Sequence, residues 1–395
     1  MKNRVLKVCL NLVSLMLFSS AVLSLSYPLG REKDFLLWLS RFDPWLLFSQ
    51  WRLEQIFPSW GWLPLLVLIA TAWWGRWFCR WLCPCGAFMM LSDYIGRFLF
   101  RNRLQSVKVS IFRELQLLAT LFMVAFVAIF LFQAGWLLLF TPLTLFSHEI
   151  VRAAQSEWPV LLISLFIVTL LLSRIWCAFL CPTGLLFAFV TRLGAICHKQ
   201  LRSGSLLPSS DKSYPATSRR QFFKMAAVLL LIGVSLRNTV KAAGTILRPP
   251  GALKEEEFGA ICSRCSRCIQ VCPTNALSPM PITQGLVNFE TPEFVPRTGR
   301  CDLCQACQEV CPTGALIVTP VAATKIGTAA VDKERCLAWH DGKLCFLCGE
   351  QCPVQAIDGD ELRRPTVRRS QCVGCGACEN GCPVEGQAAI RVFGE

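Results

Sequence analysis

Sixteen cysteines between positions 262 and 382 fall at spacings that build iron–sulfur clusters. Cys262, Cys265, Cys268 and Cys272, followed by Pro273, read C-x2-C-x2-C-x3-C-P. Cys301, Cys304, Cys307 and Cys311 before Pro312 repeat the run, as do Cys372, Cys375, Cys378 and Cys382 before Pro383. Three thiolates spaced this way wrap one face of a cubane, and the fourth, ahead of proline, reaches the neighbouring cluster. The third motif is altered, Cys336-x8-Cys345-x2-Cys348-x3-Cys352-Pro353, which puts its first ligand on a longer loop with Trp339 and His340. That cluster is expected to be more exposed, and loss of Cys336 as a ligand would leave a three-iron cluster. His340 reads as a loop histidine, because four cysteines already suffice. The short gap from Cys352 to Cys372 pairs motifs three and four, which pairs motifs one and two across residues 273–300. Cys272 then serves the second cluster and Cys311 the first, Cys352 the fourth and Cys382 the third. The expectation is four [4Fe–4S] clusters. Zinc ribbons use two C-x2-C pairs rather than runs of three, and cysteines so close together suit a cluster better than mutual disulfides.

A second cysteine pattern lies earlier. Arg76-Trp-Phe-Cys79-Arg-Trp-Leu-Cys83-Pro84-Cys85-Gly86 aligns with Arg174-Ile-Trp-Cys177-Ala-Phe-Leu-Cys181-Pro182-Thr183-Gly184 at a constant offset of 98. Cysteines at i and i+4 share a helix face, proline then interrupts the helix, and glycine permits a turn. If the flanking helices pack together, Cys79, Cys83, Cys177 and Cys181 converge. Four thiols suffice for a further iron–sulfur cluster or a zinc ion, and two pairs suffice for reversible disulfides. The plain alternative is buried cysteine acting as a small hydrophobe, and duplication weighs against it. Cys85 breaks the symmetry, and Cys9 and Cys197 carry no pattern. Haem is not expected: no C-x-x-C-H occurs, and three histidines (His148, His198, His340) fall short of a bis-histidine dihaem site.

The elements that must carry these thiols follow from composition. Of 395 residues, 53% are apolar and 17% charged, which suits a membrane protein bearing a soluble module. Twelve of thirteen tryptophans precede residue 177, and sixteen of 23 cysteines follow residue 261. Residues 1–244 carry a net charge of +16 and residues 245–395 a net charge of −2. The basic excess therefore belongs to the first half, and nucleic-acid binding, which needs a basic soluble face, is not indicated. Uncharged runs at Val8–Gly30, Gln55–Gly75, Leu115–Ser147 and Trp158–Ser173 predict four membrane spans. The Lys/Arg bias of the loops places the N-terminus inside. Ser218-Arg219-Arg220-Gln221-Phe222-Phe223-Lys224 and the apolar Met225–Leu236 resemble a twin-arginine (Tat) export signal. The expected architecture is an α-helical membrane domain (1–210), a signal-like fifth hydrophobic segment (211–244) and an α+β ferredoxin-like domain (245–395). The expected location is multi-pass in the inner membrane, with the ferredoxin domain on the periplasmic side. His148, Glu149 and Glu157 read either as proton acceptors near the outer face or as a solvated loop. No nucleophile–base constellation or phosphate loop appears.

With its motifs in view, the chain resembles the NapH/NapG-type ferredoxin proteins of periplasmic nitrate reductase systems. Residues 1–210, with two C-x3-C-P motifs, are similar to NapH and also to the NosR and CcoG groups; residues 216–395, with four cluster motifs, are similar to NapG. The chain lacks the cytoplasmic ferredoxin motifs that follow the last span of NapH. The resemblance implies electron flow from the quinol pool toward a periplasmic cytochrome or molybdenum reductase, with the lipid bilayer as the first half's partner. Two other readings remain open: a maturation or repair factor that keeps a partner's metal centre or thiols reduced, and a cytoplasmic-facing ferredoxin relay.

Overall fold

The computed structural model describes residues 2–54, 57–99, 135–172, 176–177, 181–203, 246–285 and 288–394. The chain forms two compact units, Met1–Ser20 with Trp38–Ala242 and Ala21–Leu37 with Ala243–Glu395.

The first unit is helical. Its described helices are α1 (Lys2–Leu23), α2 (Glu32–Ser40), α3 (Pro44–Glu54), α4 (Trp62–Trp74), α5 (Trp77–Trp81), α6 (Pro84–Leu99), α7 (Pro142–Ala154), α8 (Val160–Leu172) and α9 (Pro182–Ser203); parts of α1 and α2 belong to the second unit. The duplicated sequence gives duplicated local structure. Pro84 and Pro182 open α6 and α9, where a missing N–H costs nothing and the fixed φ suits the first helical turn. Gly75, at φ 71°, closes α4. The packing exchanges partners between the copies: α4 lies against α9, and α8 lies against α6. The helix before each motif thus rests on the helix after the other, a pseudo-twofold arrangement. Phe78 and Phe187, both buried, meet edge to face with centroids 6.0 Å apart.

The expected four-span membrane domain is not what the structure contains. Among the described residues no helix is long and apolar enough to cross a membrane. The runs Gln55–Gly75 and Trp158–Ser173 yield only the 13-residue helices α4 and α8, about 20 Å at 1.5 Å per residue against a hydrocarbon core of about 30 Å. Gly61 and Gly75 bound the first, and Pro159 precedes the second. The first run falls in α1, which is 22 residues long but begins with Lys2, Arg4 and Lys7. Most of Leu115–Ser147 lies outside the described residues, and its end forms a 3-10 turn (Gly135–Phe140) and the start of α7. The multi-pass inner-membrane location and the orientation read from the loop charges fall with the spans. The twin-arginine-like segment lies outside the described residues.

The second unit is built from short pieces. It contains the helices α10 (Glu255–Ile261), α11 (Arg267–Val271), α12 (Ala306–Glu309), α13 (Leu347–Glu350) and α14 (Ala377–Asn380) and the strands β1 (Leu277–Pro279), β2 (Pro292–Phe294), β3 (Thr328–Val331), β4 (Ile357–Gly359), β5 (Pro365–Val367) and β6 (Ile390–Phe393). All three strand pairs are antiparallel: β1 with β2, β4 with β5, and β3 with β6. β4 leaves the third motif and β5 enters the fourth, while β3 enters the third and β6 leaves the fourth. Motifs three and four are thereby closed into one module. Motifs one and two follow the same plan, with a single bridge, Ala252 to Leu316, where the other module has β3 and β6.

Candidate iron–sulfur sites

The first, second and fourth ferredoxin runs begin in a tight turn that backbone geometry makes possible. Arg264, Leu303 and Gly374 take positive φ values of 59°, 55° and 73° between the first and second cysteines of their motifs. In the next gap Ser266, Gln305 and Gly376 do the same at 58°, 61° and 77°. These left-handed residues turn successive backbone N–H groups toward one centre, so that the amides of Arg264, Leu303 and Ala377 bond to Cys262, Cys301 and Cys375. A helix of four or five residues then carries the third cysteine, and the C-P step releases the fourth.

The fourth cysteines are exchanged. Cys262 and Cys268 have Cys265 and Cys311 among their electrostatic neighbours. Cys301 and Cys307 have Cys304 and Cys272. Cys348 faces Cys336, Cys345 and Cys382, and Cys375 and Cys378 face Cys372 and Cys352. Two cavities repeat this grouping. One is lined by Cys336, Cys345, Cys348 and Cys382 together with apolar side chains; the other by Cys352, Cys372, Cys375 and Cys378. Among the described residues no three His, Cys, Asp or Glu side chains are arranged to hold a single metal ion. Four thiols around one space, with no three of them set for a single ion, fit a multi-iron cluster rather than zinc.

The electrostatics agree with that fit. Burial pushes Cys262 up to about 11 and Cys301 and Cys348 up to about 12, and it raises Cys268 and Cys378 as well. Such thiols stay protonated at neutral pH unless a metal takes the proton's place, which coordination does outright. The long loop of the third motif does not displace its first cysteine. The amide of His340 bonds to the carbonyl of Cys336 at 2.7 Å, and the Trp339 indole N–H donates to the Pro365 carbonyl at 3.1 Å. Trp339 lies between Lys333 and Arg364, at 4.3 and 4.7 Å. His340 is exposed and contacts Asp341, as a loop histidine should.

In the first unit the repeat cysteines also converge. Cys83 has Cys79 and Cys177 as electrostatic neighbours, and Cys181 has Cys177, Cys79 and Cys83. The two copies match atom for atom: Gly86 N–H lies 3.4 Å from Cys83 Sγ and Gly184 N–H 3.4 Å from Cys181 Sγ. A Cβ at Gly86 would meet the Cys79 carbonyl at 2.5 Å, and one at Gly184 the Cys177 carbonyl at 2.6 Å. Cys85, unmatched in the sequence repeat, is buried among the same four thiols. Burial raises Cys83, Cys85 and Cys181 well above the usual thiol range, which disfavours thiolate-driven disulfide exchange.

Of the acidic and histidine residues between these copies, only Glu157 lies in a solvated loop. His148 and Glu149 are buried on α7. Glu149 Oε2 accepts the N–H groups of Leu161 and Leu162 at 3.0 and 3.3 Å, capping α8, and burial raises its pKa. Glu157 pairs with Arg152 at 3.0 Å at the surface. Sequence reasoning passed over Arg264, Arg267 and Thr313, which the fold buries beside the first motif. Two arginines inside the gaps of a cysteine run were the available signal.

Residues 261–315 match the 4Fe-4S dicluster domain family, and residues 372–386 match a 4Fe-4S binding domain family. A further 4Fe-4S binding domain family matches twice, at 56–103 and 157–200, one match for each copy of the repeat. The ferredoxin-type protein NapG of Escherichia coli K12 is 36% identical over 208 residues, covering 47% of this chain and 89% of NapG. The methylamine utilization ferredoxin-type protein MauM of Methylorubrum extorquens is 39% identical over 202 residues, 45% of this chain and 89% of MauM. The ferredoxin-type protein NapF of Haemophilus influenzae is 33% identical over 170 residues, 42% of this chain and 89% of NapF. No solved structure matches. With four interleaved thiol sets and this coverage of its relatives, the chain is an iron–sulfur electron-transfer protein carrying several [4Fe–4S] clusters, and it belongs to the NapG and MauM family of ferredoxin-type proteins.

Proposed function

We propose that the chain is a multi-cluster electron relay that accepts electrons from quinol and delivers them to a terminal redox enzyme, of the nitrate reductase kind by its likeness to NapG or of the methylamine utilization kind by its likeness to MauM. The cysteine sets 262, 265, 268 and 311; 301, 304, 307 and 272; 336, 345, 348 and 382; and 372, 375, 378 and 352 each hold one cluster. Cys79, Cys83, Cys177 and Cys181 hold a fifth. Each bound cluster supplies one-electron uptake and release. The protein's own work is to fix four thiols per site, to turn backbone N–H groups onto their sulfurs and to keep the sites close in sequence. The carrying observation is the exchange of fourth cysteines, which supports cluster pairs joined through shared turns. The family matches over both copies of the repeat support the fifth site, and the raised thiols there disfavour the maturation reading.

The test is direct. Protein purified anaerobically is mixed with a reduced menaquinone or ubiquinone analogue and followed by EPR. Rapid appearance of reduced-cluster signals is the expected result. Intact clusters that dithionite reduces but quinol leaves oxidised would remove quinol as the donor.

A further inference from the structure

The four thiol sets of the ferredoxin unit differ in their surroundings. Exchanged cysteines tie the third set to the fourth and the second to the first. Where the two modules meet, the Cys301 amide donates to the Cys375 carbonyl at 2.7 Å, and Arg297 donates to the Cys382 and Val384 carbonyls at 2.8 Å. The second set thus lies at the contact between the modules, and the first set is joined to it by the exchange of Cys272 and Cys311.

The first set concentrates positive charge and a hydroxyl donor. Arg264 is buried; its Nη1 donates to the Cys262 carbonyl at 3.0 Å, its Nε donates to the Phe289 carbonyl at 2.8 Å, and its charge acts on Cys262. Arg267, also buried, acts on Cys265 and Cys311. The buried carboxylate of Glu290 and the guanidinium of Arg248 also act on Arg264. Thr313 is buried, with Oγ1 3.6 Å from Cys311 Sγ. That oxygen accepts the Ala315 N–H at 3.4 Å, which leaves the hydroxyl hydrogen for the sulfur. A ligating thiolate has no proton to give, so the hydroxyl donates.

The other sets lack this combination, although Arg297 donates to the carbonyl of Cys382 in the third set at 2.8 Å. Leu303 and Gly374 occupy the place of Arg264, and Ala306, Leu347 and Ala377 that of Arg267. Val384 and Val354 stand where Thr313 would serve the third and fourth sets, and both line the cavities there. At the second set Thr274 lies 3.5 Å from Cys272, but its hydroxyl donates to the Arg300 carbonyl at 2.7 Å. Taking up an electron adds negative charge, so nearby cations and hydrogen bonds to sulfur raise a reduction potential. Building on the ligand sets above, we propose that Arg264, Arg267 and Thr313 make the first set the highest-potential position of the four, so that electrons entering the unit collect there.

The test uses full-length holoprotein purified anaerobically and an EPR-monitored redox titration. The signal lost in both Cys262→Ala and Cys311→Ala marks the first set, and it is expected to have the highest midpoint in the unaltered protein. Arg267→Gln should lower that midpoint alone by about tenfold or more in the reduction equilibrium, roughly 59 mV per decade for one electron. Arg267→Lys should restore most of it, and the isosteric Thr313→Val should shift it the same way by less. Should Arg267→Gln lose iron, Thr313→Val carries the test alone. A marked signal that titrates below the others, or that stays put in iron-replete variants, overturns the inference while leaving the ligand sets intact. If the two cysteine variants lose different signals, the ligand sets themselves fail and the inference with them.

Discussion

Cys272 belongs to the first motif in sequence and to the second in space. Cys272→Ala should therefore abolish the signal of the cluster held by Cys301, Cys304 and Cys307 and spare that of its own run, as read by iron content and EPR. Glu149 makes a separate prediction. Its carboxylate caps α8, so Glu149→Ala should cost about 1–2 kcal/mol and lower the Tm. Its folded pKa is raised above the ordinary 4.5 by burial, so the folded state holds the proton more tightly than the unfolded. Stability should fall as pH rises from 4.5 through the raised value, and Glu149→Gln should flatten that slope in thermal melts. The grouping of the ferredoxin cysteines was legible in the sequence: the spacing assigns each fourth cysteine to the neighbouring run, and the fold sets it there. The buried arginines and Thr313 were not, because a charged residue between two cysteines looks solvated until the fold closes over it. For His148 and Glu149 the sequence left a solvated loop open, and the fold buries both.

At the scale of elements, the duplicated C-x3-C-P turn supplies its own control. Gly86→Ala and Gly184→Ala place a methyl at 2.5 and 2.6 Å from equivalent carbonyls, and backbone must move in both. Each should destabilise the helical unit by roughly 1–3 kcal/mol and by similar amounts, read as paired falls in Tm; a loss at one position only would show that the copies are not equivalent. The repeat and the convergence of its cysteines were readable from the constant offset. Helix length was not. Apolar runs of 16 to 33 residues suggested spans, but Gly61, Gly75 and Pro159 cut two of them to 13-residue helices. Hydropathy reports what a segment would bury, and the local breakers decide how far it stays straight.

For the whole molecule, the ferredoxin unit depends on what its thiols bind. Its strands run three or four residues and its helices four to seven, too little regular structure to define a core unaided. Removing iron with a chelator under reducing conditions should expose residues 246–394 to limited proteolysis, and anaerobic reconstitution with iron and sulfide should restore protection. Protection that persists without iron would mean that the polypeptide holds this fold by itself.

The crossed packing of α4 on α9 and α8 on α6 has a further implication. The main packing of these helices runs between the copies, and the four thiols lie where the halves meet. A chain with one copy could rebuild the same chamber only by pairing with a second such chain, each lending two cysteines across a dyad. Seen this way, the first unit has within one chain the arrangement of a two-fold dimer, and Cys85 opposite Thr183 is a position at which the two halves differ.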